Sequence, residues 1–161
     1  MNVRKLRQVL QLTMVVGLVL CAVAPVLAAI RNWAIVVGAG SKRQDVSLND
    51  LSRLCKGTQK AWPDGRSFTL VIHDPDSPEM KSVLGKIFGL NETDLKPAIV
   101  KLTETKSFLK IVASDEDVIR TVEATPGAVG VMDVYAINSA VKVLRIDGKL
   151  PFDAGYSLKG N

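Results

Sequence analysis

The sequence predicts an α/β domain of three layers, in which a mostly parallel sheet carries helices on both faces. Short apolar runs typical of buried strands alternate with segments whose apolar residues recur every three or four positions, as in amphipathic helices. Capping residues, glycines and prolines mark the boundaries between these segments. The predicted order is strand–helix–strand–helix, an optional further helix, then strand–helix–strand–strand.

The first predicted elements are a strand and a capped helix. Residues 33–37 are apolar and precede the glycines of a turn, as expected of a strand, whereas residues 41–45 are polar and expected to be exposed. Ser47 is suited to cap a helix that closes at Gly57. The apolar residues of that helix follow helical spacing and are Leu48, Leu51, Leu54 and Cys55. Cys55 is therefore expected to be a small buried hydrophobe.

A turn, a strand and a second capped helix follow. In the turn at residues 62–65 (WPDG), proline fixes φ and glycine accepts the left-handed conformation. Residues 68–73 then predict a strand. Ser77 is the natural cap of the next helix, with Pro78 in its first turn and Gly89 at its end. Asn91 can cap a further helix, which either kinks at Pro97 or begins there.

The second half of the domain predicts three strands and one full helix. Residues 108–113 and 129–132 are short apolar runs, and between them Ser114 caps an acid-rich helix that ends at a turn over residues 124–127. Asp133 can cap a brief helical segment. Residues 141–146 alternate between apolar and polar side chains and predict one further strand.

The first 28 residues are expected to be a secretory signal peptide. Residues 1–8 are basic, and residues 14–24 form an apolar run. Residues 26–28 (VLA) place small or branched side chains at positions −3 and −1, which a signal peptidase recognises. Cleavage after Ala28, or alternatively after Ala29, leaves a single domain over residues 29–161. The competing interpretation is an uncleaved anchor, in which residues 9–30 span the bilayer.

Charge and composition exclude several function classes. The chain has 21 basic and 16 acidic residues, but three of the basic ones and none of the acids lie in residues 1–28. The domain therefore lacks the basic surface of a nucleic-acid-binding protein, and no nucleic-acid partner is expected. It holds one cysteine, Cys55, and one histidine, His73, too few for a Cys/His metal site or an internal disulfide. The glycines at residues 38–40 lack the rest of a nucleotide fingerprint, so no cofactor is expected.

Four segments of the domain, taken in order, carry a family resemblance. They read VSLNDLSRLCKGTQKAWPDG (46–65), FTLVIHDPDSPEMKSVL (68–84), ASDEDVIRTVEATPGAVGVMDVYA (113–136) and VKVLRIDGKLP (141–151). Together they resemble the phosphate-type substrate-binding proteins of bacterial ABC importers, in the class II periplasmic binding-protein superfamily. The third segment is similar to that family's TPG-[AS]-IGY turn and strand, and the first to its W-x-D segment.

The resemblance implies a single periplasmic-binding-protein-like lobe, because complete family members have two lobes and this chain is long enough for one. It also implies a bacterial periplasmic or secreted location and a binding function without catalysis. The expected ligand is either a small solute, such as an oxyanion, or a protein partner. The only expected contact with a membrane is through the signal segment.

The resemblance places the candidate ligand-binding residues in the loop after the second strand, where His73, Asp76 and Ser77 match the family's anion loop. The loop departs from the family pattern, because Asp74 stands where an arginine is expected and Pro78 removes one N–H group from the helix end. Carboxylates around a helix N-terminus compete with an anion for the positive end of the helix dipole. We therefore expect Ser77 to be a helix cap and phosphate binding to be weak or absent.

The alternative function is an enzyme that uses Asp76 and His73 as an acid/base pair. Both residues lie in the same loop, and a carboxylate beside an imidazole is a workable arrangement for proton transfer. Hydrogen-bond contact between the two side chains would support this hypothesis. The other candidate acids, residues 115–117, begin a helix and are expected to be surface charges that favour its dipole.

Overall fold

The structure is a computed structural model and describes residues 32–105 and 108–159. The predicted signal peptide and its cleavage site lie outside these residues. Within the described ranges, no helix has the length and apolar character that crossing a membrane requires.

A five-stranded sheet forms the centre of the domain. Its strands are β1 (Trp33–Gly38), β3 (Thr69–His73), β4 (Leu109–Val112), β5 (Ala128–Asp133) and β6 (Val141–Val143), in the order β4-β3-β5-β1-β6. β3 is parallel to both β4 and β5, whereas β1 is antiparallel to its neighbours β5 and β6. Four of the five strands therefore run in one direction, which confirms the predicted mostly parallel sheet, and β1 is the reversed strand.

Two short strands form a separate parallel pair, β2 (Asp45–Val46) and β7 (Arg145–Ile146). The prediction of one strand over residues 141–146 is wrong, because the chain leaves the main sheet after β6. The crossing point is Leu144, whose N–H still donates to the Ile35 carbonyl at 2.8 Å, while the next residue donates to Gln44 at 3.0 Å. The alternation of polar and apolar residues expected over residues 141–146 is interrupted by two consecutive apolar residues, Val143 and Leu144, and this is where the chain changes sheet.

Four helices complete the fold: α1 (Leu48–Cys55), α2 (Pro78–Phe88), α3 (Glu92–Thr105) and α4 (Asp115–Ala124). The predicted caps of α1, α2 and α4 are confirmed, since Ser47, Ser77 and Ser114 each accept a backbone N–H from the residue three positions later. α3 begins directly after Asn91 and contains Pro97, which settles the question that the sequence left open.

The apolar residues of β1 alternate between two cores, one on each face of the sheet. Trp33, Ile35 and Val37 pack in the core formed with α1, α2 and α3. Ala34 and Val36 pack in the core formed with α4. The three-layer arrangement is thus confirmed, and it requires β1 to be apolar on both faces. Cys55 is fully buried in the first core, as predicted.

Candidate functional site

The carboxyl ends of β3, β4 and β5 meet at one edge of the sheet, which we call the carboxyl edge. Open α/β sheets bind ligands at this edge. His73 ends β3, Asp115 begins the helix that follows β4, and Asp133 ends β5. Trp33 lies at the same edge, because antiparallel β1 starts opposite Asp133.

His73 contacts Asp115 at the carboxyl edge. The Nε2 atom of His73 lies 2.9 Å from Oδ1 of Asp115, and the two side chains are 14% and 21% exposed. The two atoms are close but do not meet the geometry of a hydrogen bond. The ring of Trp33, on β1, lies 5.9 Å from the imidazole, centroid to centroid.

The environment of Asp115 disfavours its charged form. Burial raises the pKa of this carboxyl above its ordinary value. The nearby His73 and the backbone N–H of Asp133 lower this pKa, and the Asp133 carboxylate adds to the increase. The prediction that Asp115 is only a surface charge is therefore wrong, because α4 directs its first residue toward the end of β3.

Ser77 is the N-cap of α2, and its hydroxyl is fully used in that role. Its Oγ accepts the N–H of Met80 at 3.3 Å and donates to the Asp74 carbonyl at 3.1 Å. Asp74 has a positive φ of 44°, which turns the loop toward α2. Both hydrogen-bonding roles of the Ser77 hydroxyl are thus filled by the backbone, as expected of a cap.

Asp76 points away from His73 and interacts with two lysines. Its Oδ1 lies 3.5 Å from Nζ of Lys96 and 3.9 Å from Nζ of Lys81, and its side chain is 67% exposed. The Asp76–His73 pair considered from the sequence is not formed, because the carboxylate that reaches the imidazole belongs to Asp115. The sequence did hold a signal for this contact, since His73 ends one strand and Asp115 follows the next strand by three residues, and the two strands are parallel neighbours.

An exposed aromatic pair lies at the same edge and was not predicted. Tyr135 belongs to a 3₁₀ turn (Val134–Ala136) that Asp133 caps directly after β5. Tyr135 is 79% exposed and Phe152 is 60% exposed, and their rings are tilted by 57° with 6.4 Å between the centroids. The sequence shows Phe152 only as part of a loop-forming tail, so nothing local indicates that these rings meet.

The described part of the chain has no group of three or more His, Cys, Asp or Glu side chains arranged to hold a metal ion. Among the described residues, the carboxyl edge offers one imidazole–carboxylate contact, the capped N-termini of α2 and α4, and one exposed aromatic pair.

No protein-family model matches the chain, and no curated protein matches it. Solved structures do match its fold. An ABC-type phosphate transport receptor from Vibrio cholerae is 16% identical, with a TM-score of 0.64 over 81% of this chain and 54% of that one. PstS from Borrelia burgdorferi is 20% identical, with a TM-score of 0.62 over 81% of this chain and 55% of that one.

The chain thus spans about half the length of the structures it matches. At these identities the comparison concerns the fold alone. The described domain has the α/β fold of one lobe of the phosphate ABC transporter substrate-binding proteins.

Proposed function

We propose that this chain is a secreted, non-enzymatic binding module, a single lobe that binds a protein partner or a small solute at its carboxyl edge. The observation that carries the proposal is the exposed pair of Tyr135 and Phe152 beside β5. Aromatic side chains are enriched at protein interfaces, and a large exposed aromatic patch is uncommon on a monomer. The geometry therefore favours a protein partner over a free solute.

Phosphate is a weak candidate for the solute. An anion at a helix N-terminus needs free N–H groups and a positive field. At α2, Ser77 already takes the N–H of Met80, and Pro78 has no N–H to give. Asp74 and Glu79 add negative charge at the same helix end. The ligand of the matched transport receptors is thus not expected to bind the isolated lobe tightly.

An enzymatic role has less support than binding. The acid/base hypothesis needed His73 and Asp76 in contact, and these side chains have different partners. The structures that match the fold are binding proteins.

Site-specific photocrosslinking tests the protein-partner proposal in the native host. A photoreactive phenylalanine analogue at position 135 or 152 is expected to give the same discrete crosslinked product. Placed at Val100, an exposed apolar position on α3, the analogue is expected to give none. Replacing Tyr135 with serine is expected to abolish the product obtained from position 152.

Calorimetric titration of the purified chain with phosphate and sulfate tests the solute version. Equal crosslinking from all three positions, together with tight oxyanion binding, would overturn the preference for a protein partner. N-terminal sequencing of the exported protein tests secretion, with Ala29 or Ile30 as the expected first residue.

A further inference from the structure

A pocket of about 170 Å³ lies at the edge of the sheet opposite the carboxyl edge. It is bounded by the end of β1, the turn after α1 and the end of α4. Its charged lining residues are Arg43, Arg66 and Glu123. Sites for drug-sized ligands occupy about 300–1,000 Å³, so this pocket fits a much smaller molecule.

Arg43 is held in a fixed position at this pocket. Its guanidinium carbon lies 3.8 Å from the centroid of the Trp62 ring, and its Nη2 donates to Asp64 at 3.0 Å. Trp62 is itself anchored, because its indole N–H donates to the Gly127 carbonyl at 2.8 Å. The bond to Asp64 uses one of five guanidinium N–H groups, and it is the one hydrogen bond of this guanidinium within the described residues. A preorganised arginine with spare donors favours a carboxylate.

The α4 side of the same pocket carries negative charge and hydrogen-bond acceptors instead. Pro126 has no N–H, so it cannot donate to the Val122 carbonyl four residues earlier. Val122 lines the pocket, and its carbonyl oxygen lies 3.4 Å from the position of a Cβ on Gly38, which lines the pocket too. Glu123 and the C-terminal end of α4, which is the negative end of the helix dipole, line the same side of the pocket. This wall therefore favours an ammonium group.

We propose that the pocket binds a small zwitterion, with its carboxylate at Arg43 and Arg66 and its ammonium group at Glu123 and the Val122 carbonyl. An α-amino acid of low mass has this chemistry. The proposed site is separate from the carboxyl edge and does not depend on the function proposed there.

Titration of the full chain with glycine and with L-alanine, followed by calorimetry and by tryptophan fluorescence, tests the proposal. Acetate and methylammonium, each carrying one of the two charges, are expected to bind at least about tenfold more weakly than the amino acids. Arg66→Ala and Glu123→Gln change exposed residues and are each expected to weaken amino-acid binding by about tenfold. The matched control is Arg120→Ala, because Arg120 is 76% exposed on the same helix and does not line the pocket.

Circular dichroism and the melting temperature establish that each variant is folded. Loss of binding in Arg66→Ala and Glu123→Gln, with unchanged binding in Arg120→Ala, supports the proposal. No binding of either amino acid at about 10 mM, or equal binding by all three variants, overturns it. Acetate binding as tight as glycine binding also overturns it, because the α4 wall would then contribute nothing.

Discussion

Replacement of Ser77 by alanine distinguishes a helix cap from a ligand-binding hydroxyl. The change removes the acceptor for the Met80 N–H and the donor to the Asp74 carbonyl. Loss of a serine cap costs about 1 kcal/mol of unfolding free energy. For a domain of this size, the melting temperature is then expected to fall by about 3–5 °C.

Two further caps in the same domain provide matched controls. Ser47→Ala and Ser114→Ala remove hydroxyls that accept an N–H at 3.0 and 3.2 Å, and neither serine lies in the family's anion loop. All three variants are expected to lose similar stability in urea or thermal unfolding. None is expected to change the response to phosphate in calorimetry. Tight phosphate binding that Ser77→Ala alone abolishes, without a change in melting temperature, would refute the assignment of Ser77 as a cap.

Three other predictions concern burial and backbone conformation. Gly127→Ala is expected to destabilise the fold by more than about 1 kcal/mol in urea unfolding, because φ is +89° and a Cβ would lie 2.4 Å from the Ser67 carbonyl oxygen. Gly40→Ala, whose Cβ would meet nothing within 4 Å, is the near-neutral control, and equal losses in the two variants would contradict the argument. Cys55 is buried, and burial raises the pKa of its thiol. A thiol reagent is therefore expected to label Cys55 only as fast as the domain unfolds. Rapid labelling of Cys55 in the native protein would disprove its burial. The pKa of Asp115 is raised in the folded state, so ionising this carboxyl destabilises the fold. This destabilisation is absent below the unfolded pKa of about 4, increases as the pH rises from there through the folded pKa, and is constant above it. Asp115→Asn is therefore expected to raise the melting temperature near neutral pH and to lose this advantage at about pH 3, whereas a gain as large at both pH values would exclude the mechanism.

The helices of this domain could be predicted well because their signals are local. A cap at Ser47, Ser77 or Ser114 depends on an N–H three residues away, and the buried stripe of each helix follows its own periodicity. The C-terminal ends of the helices could be predicted for the same reason, as at Gly89, which takes the left-handed conformation after α2. The turn at residues 62–65 also follows from its own four residues, and the Gly65 N–H donates to the Trp62 carbonyl at 2.9 Å.

The candidate site was predictable only in part. The sequence located the loop that holds His73 and Ser77 and identified Ser77 as a cap. The alternative hypothesis paired His73 with Asp76, which is near the histidine along the chain. In the fold, Asp76 contacts lysines on α2 and α3 instead. The carboxylate that contacts His73 is Asp115, which lies 42 residues further along the chain.

By itself, the sequence determined the local elements of this domain, its two-faced apolar strands and the number of its cysteines and histidines. The tertiary structure alone decided that β1 is reversed between β5 and β6, and that residues 141–146 divide between two sheets. It alone also brought His73 to Asp115, Tyr135 to Phe152, and Arg43 to the end of α4. The physical reason is that capping and periodicity depend on neighbours three or four residues away, whereas strand pairing and side-chain clusters depend on which distant surfaces bury each other.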